Sequence, residues 1–235
     1  MTLAGKKILL TGVSRGIGRA TARLLLDEGV QLLGVGRDAG RLQEAEAELS
    51  SRGSGTFHSL CLDIAQPGSA ERLHDHVSQL WKQLDIAVFN AAVMLHHEGG
   101  ILAEPTGILE QSLETNLLAP LRMARSLLPL LEAGKEPRIV NVGSGAGTLA
   151  QMHEPGIASY RLSKWALNGL TLLESHELAD KISVIAFDPG WVRTDLGGPK
   201  APGTPEEAAE GLLATLQLEA SCSGKFYKNA QEIPW

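Results

Sequence analysis

Short apolar runs alternate with longer amphipathic ones along this chain, and that alternation leaves few folds open to it. KKILLT (6–11), VQLLGVG (30–36), TFHSLCL (56–62), DIAVFN (85–90), RIVNVG (138–143) and ISVIAFD (182–188) are apolar and bounded by turn residues, so each reads as a buried strand. Between them lie helix-length segments at 16–28, 38–51, 67–82, 108–132, 157–179 and 205–219. A helical crossover returns the chain to the same end of a sheet, so strands joined this way pair in parallel. The expected fold is α/β, a Rossmann-type doubly wound parallel sheet with helices on both faces. With 235 residues, no internal repeat and no interior linker, residues 1–235 read as a single domain. The Gly- and Pro-rich GGPKAPGTP (197–205) reads as a surface loop, not a domain boundary.

Charge and cysteine content narrow the function classes. The net charge is -6 and the basic residues are scattered, which argues against a nucleic-acid or anionic-membrane surface. Cys61 and Cys222 are too few for a disulfide framework. No apolar run reaches membrane-spanning length, and MTLAGKKILL lacks a signal-peptide cleavage pattern. A soluble, cytoplasmic protein is expected.

LLTGVSRGIGRA follows the first strand and opens the first helix, with Gly12, Gly16 and Gly18 spaced GxxxGxG. Backbone N–H groups at a helix N-terminus attract phosphate, and side chains would block the approach. Gly18 would also let the helix lie tight on its strand. The plainer reading is a turn with no ligand. GVGRDA (34–39) matches the dinucleotide pattern literally, but nothing about twenty residues on could read a ribose there. Counted from the first loop, that distance lands on Arg37 and Asp38. Arg37 and Arg15 suit a 2′-phosphate, which favours NADP(H). A carboxylate at Asp38 leaves NAD(H) open.

Tyr160 and Lys164 stand four apart in ASYRLSKWAL, on one face of an expected helix. A neighbouring ammonium favours phenolate, lowering a pKa ordinarily near 10 towards the range of a useful acid/base. Alone, such a pair is as well read as chance. GSGAG (143–147), however, puts Ser144 at a strand's end, as do the glycine loop, NAAV (90–93) and DPGWVRTD (188–195). Ligands bind at the carboxyl ends of parallel strands.

Taken together, TGVSRGIG (11–18), LDI (62–64), NAAV, Asn116 in ETNLLAP, NVGSGAG (141–147), YRLSK (160–164) and DPGWVRTD resemble the short-chain dehydrogenases/reductases, across essentially the whole chain. The C-terminal half is similar to the compact branch of sniffer-type carbonyl reductases and C-factor-like proteins. The resemblance implies a single dinucleotide-binding domain that interconverts a carbonyl and an alcohol, with 191–205 as a short substrate loop. It implies Tyr160 as acid/base, Ser144 on the substrate oxygen, Lys164 on the nicotinamide ribose while depressing the Tyr160 pKa, and Asn116 holding a relay water. For the cofactor it implies Gly12, Ser14, Arg15, Gly16, Ile17 and Gly18 around the pyrophosphate and Arg37 at the 2′-phosphate. Asp63 and Ile64 would meet the adenine, and Asn90 and Ala91 would line the cleft. Pro189, Gly190, Val192 and Thr194 would surround the nicotinamide. A homodimer or homotetramer through the helices at 108–132 and 157–179 is implied too, and their surplus leucines agree.

The chain departs from the family pattern where Val93 replaces a glycine and where TLAQMHEPGIAS (148–159) lengthens the approach to Tyr160, forming a lip over the pocket. His96, His97 and Glu98, with His153 and Glu154, carry no metal-ligand spacing; no metal is expected, and His96 or His153 is the better candidate for a substrate contact. The alternative function is a non-catalytic dinucleotide-binding signalling protein of C-factor type, which would have no use for Tyr160.

Overall fold

The computed structural model describes residues 1–235, the side chain of Ala220 being left aside. One sheet of eight strands forms its middle: β1 (Lys7–Thr11), β2 (Gln31–Gly36), β3 (Thr56–Cys61), β4 (Ile86–Phe89), β5 (Arg138–Val142), β6 (Ser183–Phe187), β7 (Phe226–Lys228) and β8 (Gln231–Ile233). The order is β3-β2-β1-β4-β5-β6-β7-β8, parallel except for β8, which pairs antiparallel to β7. The direction of winding reverses between β1 and β4, opening a crevice at the strands' carboxyl ends.

The helices are α1 (Gly16–Asp27), α2 (Ala39–Leu49), α3 (Ser69–Leu80), α4 (Ile108–Leu113), α5 (Ala119–Glu132), α6 (Ala158–Glu177) and α7 (Pro205–Leu216). Alternation along the strands feeds two cores. Ile8, Leu10, Val88 and Ile185 pack with Leu25, Leu42 and Leu212 of α1, α2 and α7. Leu9, Leu33, Ala87 and Ile139 pack on the other face with Leu73, Val77 and Leu127 of α3 and α5. β1, β2, β4, β5 and β6 are buried on both sides, which is why their sequences read as continuous apolar runs, while the edge strands β3 and β8 are partly exposed. Among the described residues, no helix is long and apolar enough to cross a membrane.

Two expectations need correcting. The helix expected over 108–132 is broken by a π-turn over Glu114–Leu118, in which the Ala119 N–H reaches back to the Glu114 carbonyl. Pro120 has no N–H to offer the Asn116 carbonyl four residues earlier, so the regular ladder fails there. The β7–β8 hairpin was not expected either. Its strands have three residues each, too few for a periodic signal, and its turn uses Asn229 and Ala230 at φ 50° and 59°. At the opposite end of the sheet from the crevice, Arg138 is fully buried. Its guanidinium donates to the carbonyls of Leu216 (2.8 Å), Leu218 (2.7 Å) and Glu219 (3.1 Å), closing the end of α7.

Candidate active site

The glycine loop is held in place from β4. Asn90 donates from Nδ2 to the Thr11 carbonyl at 2.8 Å, and its own N–H reaches Thr11 Oγ1 at 3.0 Å. A Cβ on Gly18 would lie 2.1 Å from the Gly12 carbonyl oxygen and 2.8 Å from Asn90 Nδ2. Any side chain there would push α1 off β1. Gly16, at φ +53°, faces Thr194, whose methyl would stand 3.0 Å from a Cβ. The loop therefore presents bare backbone at a helix N-terminus, with Ser14, Arg15, Ile17, Ala91 and the turn at Pro189, Gly190 and Val192 lining the same cleft of about 1030 Å³.

Three guanidiniums gather at the far end of the cleft. Arg15 and Arg41 both pair with Asp195, the second at 3.4 Å. Partial burial lowers the Arg15 pKa, and the positive charges of Arg41 and Arg37 lower it further. Asp38 is already in use, accepting the Arg41 N–H at 3.0 Å as the cap of α2. One of its carboxylate oxygens thus caps α2, and the other lies 4.0 Å from Arg41 Nε. Arg41 was not singled out from sequence, although it lies one helical turn beyond Arg37. Leu62, Asp63 and Ile64 line the wall beside β3; Asp63 Oδ1 accepts the Ala65 N–H at 3.1 Å.

Ser144, Tyr160 and Lys164 meet at the opposite end. Ser144 leaves β5 in an extended conformation, and its hydroxyl accepts the Ala146 N–H at 3.1 Å. Lys164 is 3% exposed and donates to the Val142 carbonyl at 2.7 Å, with Nζ 5.9 Å from the centre of the Tyr160 ring. The expected depression of the Tyr160 pKa is reversed in this structure. Burial pushes the phenol up to about 12, the contact with Ser144 pulls the other way, and Asp188 adds to the rise. Burial also pushes Lys164 down to about 8. Lys164 is buried and Tyr160 is partly buried in the cleft wall, so loss of water opposes the charged form of each.

Asn116 sits in the π-turn, and its side chain is fully engaged. It accepts the Val93 N–H at 2.8 Å and donates to the Val93 carbonyl at 2.8 Å and Ser163 Oγ at 2.9 Å. Its side chain thus has no polar atom left over, and Pro120 has no N–H to donate to its backbone carbonyl. Val93, the departure noted in NAAV, is thereby fixed to the helix below it.

The end of the cleft that holds Ser144 and Tyr160 is walled by Met94, His97, the lip, Trp191 and Lys228. Here too the sequence reading is corrected: His97 lines the cleft, whereas His96 and His153 do not, and His153 pairs with Glu154 at 3.2 Å on the surface. Among the described residues, no cluster of metal-ligating side chains occurs. Asp188, also not singled out, ties the walls together. Its Oδ1 accepts the N–H groups of Gly145 and Gly190, each at 3.0 Å, and its Oδ2 faces Lys228 Nζ at 3.8 Å. The 191–205 segment is folded on itself by Arg193, which donates to the Ala201 and Pro202 carbonyls at 2.9 and 2.6 Å.

Outside the cleft, Leu117, Leu118 and Leu121 beside α5 face Leu170, Leu172 and Leu173 of α6 across a shallow apolar groove of about 660 Å³. Leu173 is 70% exposed, while Leu127, Leu130 and Leu131 are buried in the core.

The profile of a family described as short chain dehydrogenase matches residues 6–204. The chain is 32% identical over 225 residues to the 1-hydroxy-2-glutathionyl-2-methyl-3-butene dehydrogenase of Rhodococcus sp. (strain AD45), covering 93% of this chain and 94% of that one. Among solved structures it is similar to the carbonyl reductase Sniffer of D. melanogaster, with a TM-score of 0.87 at 26% identity over 98% of this chain and 100% of that one. The NADPH-bound carbonyl reductase from chicken fatty liver gives a TM-score of 0.87 at 27% identity over 99% and 100%.

Proposed function

The chain belongs to the short-chain dehydrogenase family of oxidoreductases, and from that premise we propose that it reduces an aldehyde or ketone with NADPH, Tyr160 giving the proton. One observation carries the reading: a single cleft has an arginine cluster at one end and Ser144, Tyr160 and Lys164 at the other, with a side-chain-free phosphate cradle between them. The fit of a dinucleotide is supported by that cradle, whose close seating of α1 on β1 depends on Gly18 having no Cβ. NADPH in particular is supported by Arg15, Arg37 and Arg41 and by the capping role of Asp38, and the chicken carbonyl reductase is described as NADPH-bound.

When bound, the cofactor supplies the hydride. The glycine loop and Arg15 would hold its phosphates, Arg37 and Arg41 the 2′-phosphate, Asp63 and Ile64 the adenine, and Lys164 the nicotinamide ribose. Pro189, Gly190, Val192 and Thr194 would bound the nicotinamide. Ser144 donates a hydrogen bond to the substrate oxygen, polarising the carbonyl. Tyr160, a phenol and so protonated at neutral pH, donates its proton as that oxygen becomes an alkoxide. Lys164, poised near 8, passes a proton towards the phenol from the water that the Asn116 carbonyl holds. Residues 1–235 act as one domain, with 191–205 as the substrate loop.

A homodimer through the groove of α5 and α6 is part of the same proposal, because an apolar surface of that kind is seldom left wet and a two-fold contact covers it twice over. The deciding experiment for the chemistry is Tyr160→Phe: it should bind NADPH as the parent does and lose nearly all turnover across a panel of aldehydes, ketones and quinones. Parental turnover on any of them sinks the mechanism.

A further inference from the structure

The two residues flanking Tyr160 are each tied to a different wall of the substrate half. α6 begins without a cap of its own: Ile157, just before it, stands in the left-handed region at φ 50°, and its side chain accepts nothing from the first turn. The acceptor comes from the segment after β4. Glu104 takes the Ser159 N–H at 3.1 Å on one carboxylate oxygen and the Ser159 hydroxyl on the other. On the other side of the tyrosine, Arg161 is 9% exposed and lies beneath the lip. Its Nη1 donates to the carbonyls of Gln151 (3.0 Å) and Ala146 (3.4 Å), and its Nε to that of Gly156 (3.3 Å). The two walls also touch each other, since a Cβ on Gly156 would stand 2.9 Å from the His97 carbonyl oxygen.

The first turn of a helix has N–H groups with no partner inside the helix, and it frays unless something outside accepts from them. A carboxylate is the best acceptor there, because the helix dipole favours negative charge at that end. A planar guanidinium bound to three carbonyls fixes the chain segment that carries them. Tyr160 sits in this first turn, so the position of its phenol depends on what holds 159 and 161.

We infer that Glu104 and Arg161 are positioning residues that keep the Tyr160 phenol aligned with Ser144 by fastening both pocket walls to the start of α6. The inference rests on the reading of Tyr160 as proton donor. Neither side chain touches the reacting atoms, and neither belongs to the glycine loop or the arginine cluster. Loss of either should therefore reach turnover and leave cofactor binding alone.

The test compares Glu104→Ala, Glu104→Gln and Arg161→Met with the parent and with Tyr160→Phe. NADPH binding is read by fluorescence titration, and kcat and KM are measured with propanal and with a tricyclic quinone. Misplacing a catalytic group by about an ångström costs up to about a hundredfold in rate, so Glu104→Ala and Arg161→Met should lose between about tenfold and about a hundredfold in kcat with NADPH affinity unchanged. Glu104→Gln keeps an acceptor for the Ser159 N–H and should recover most of the loss. Parental kcat in both Glu104→Ala and Arg161→Met overturns the inference. So does a fall in NADPH affinity that matches the fall in kcat, because the two residues would then hold the whole fold. A Glu104→Gln as poor as Glu104→Ala overturns the capping role. If Tyr160→Phe turns over normally, the reading of the mechanism falls; if it is inactive while Glu104→Ala is normal, the positioning role alone falls.

Discussion

Glu174 is a carboxyl group buried where a carboxylate is expensive, and replacing it with glutamine should stabilise the protein in a pH-dependent way. It lies on α6 with its Oε2 accepting from Asn141 Nδ2 of β5 at 3.0 Å, an amide that also serves Thr171 Oγ1 at 3.0 Å. Burial pushes its pKa up to about 7, the Asn141 hydrogen bond pulls it down, Glu177 raises it and Arg125 lowers it. On the same amide, Asn141 Oδ1 is buried without a partner. A rise from 4.5 to about 7 is worth about 3 kcal/mol between the two protonation states. Well below 4.5 the group is protonated whether the chain is folded or not, and its contribution to stability is fully present. Between 4.5 and about 7 the unfolded chain sheds the proton and the folded chain keeps it, so stability falls as pH rises. Glutamine cannot ionise; its carbonyl can take the Asn141 N–H and its amide can return a bond to Asn141 Oδ1. The advantage of Glu174→Gln should therefore grow from near zero at about pH 4 to about 3 kcal/mol at about pH 8. In a chain of this size that is a rise in Tm of roughly 6–12 °C at the upper pH. Urea unfolding followed by circular dichroism, at one protein concentration and several pH values, measures it, because groups common to both proteins cancel in the difference. A difference that does not change with pH, or a variant less stable at about pH 8, refutes the reasoning.

The arginine cluster predicts that Arg37→Ala loses about 1.5–3 kcal/mol of NADPH affinity, the worth of a hydrogen bond to a charged group, and spares NADH. Titration with both cofactors checks it, and a parent that prefers NADH refutes it. Gly18→Ala forces a methyl to within 2.1 Å of the Gly12 carbonyl, so α1 must lift. Overpacking of this kind costs about 1–3 kcal/mol, and weaker NADPH binding should accompany the lower Tm. Light scattering should give twice the 25.0 kDa of one chain, and Leu121→Glu should return the mass towards 25.0 kDa.

The five central strands and the helices could be read because burial on both faces writes an uninterrupted apolar run, and each such run ends in a turn; β3, at the border, was legible from the turn residues that bound it. The glycine loop could be read because Gly12 and Gly18 answer to a backbone approach that no other residue permits. Other features left no such trace. Glu104 and Ser159 are distant in sequence and neither stands in a pattern. Arg161 is only one more charge on a helix until the lip folds over it. The Tyr160 pKa was inferred from a neighbour four residues away; its direction is set instead by burial, which depends on tertiary surroundings that the local sequence does not describe. His97 and not His96 lines the cleft, and the loop that carries both is irregular, with no period from which this could be read.

The β7–β8 hairpin has a consequence for how this sheet ends. A parallel sheet that stopped at β7 would offer a row of free N–H and C=O groups to any extended chain. β8 covers that row by doubling back, yet exposes only three residues of its own, with Glu232 paired to Lys225 at 2.7 Å. A short, charged border gives an intruding strand little to pair with. The opposite border is β3, six residues long and without a lysine or proline. Edge-to-edge association in a partly unfolded population would start there, and a lysine introduced in β3 is the change that would suppress it.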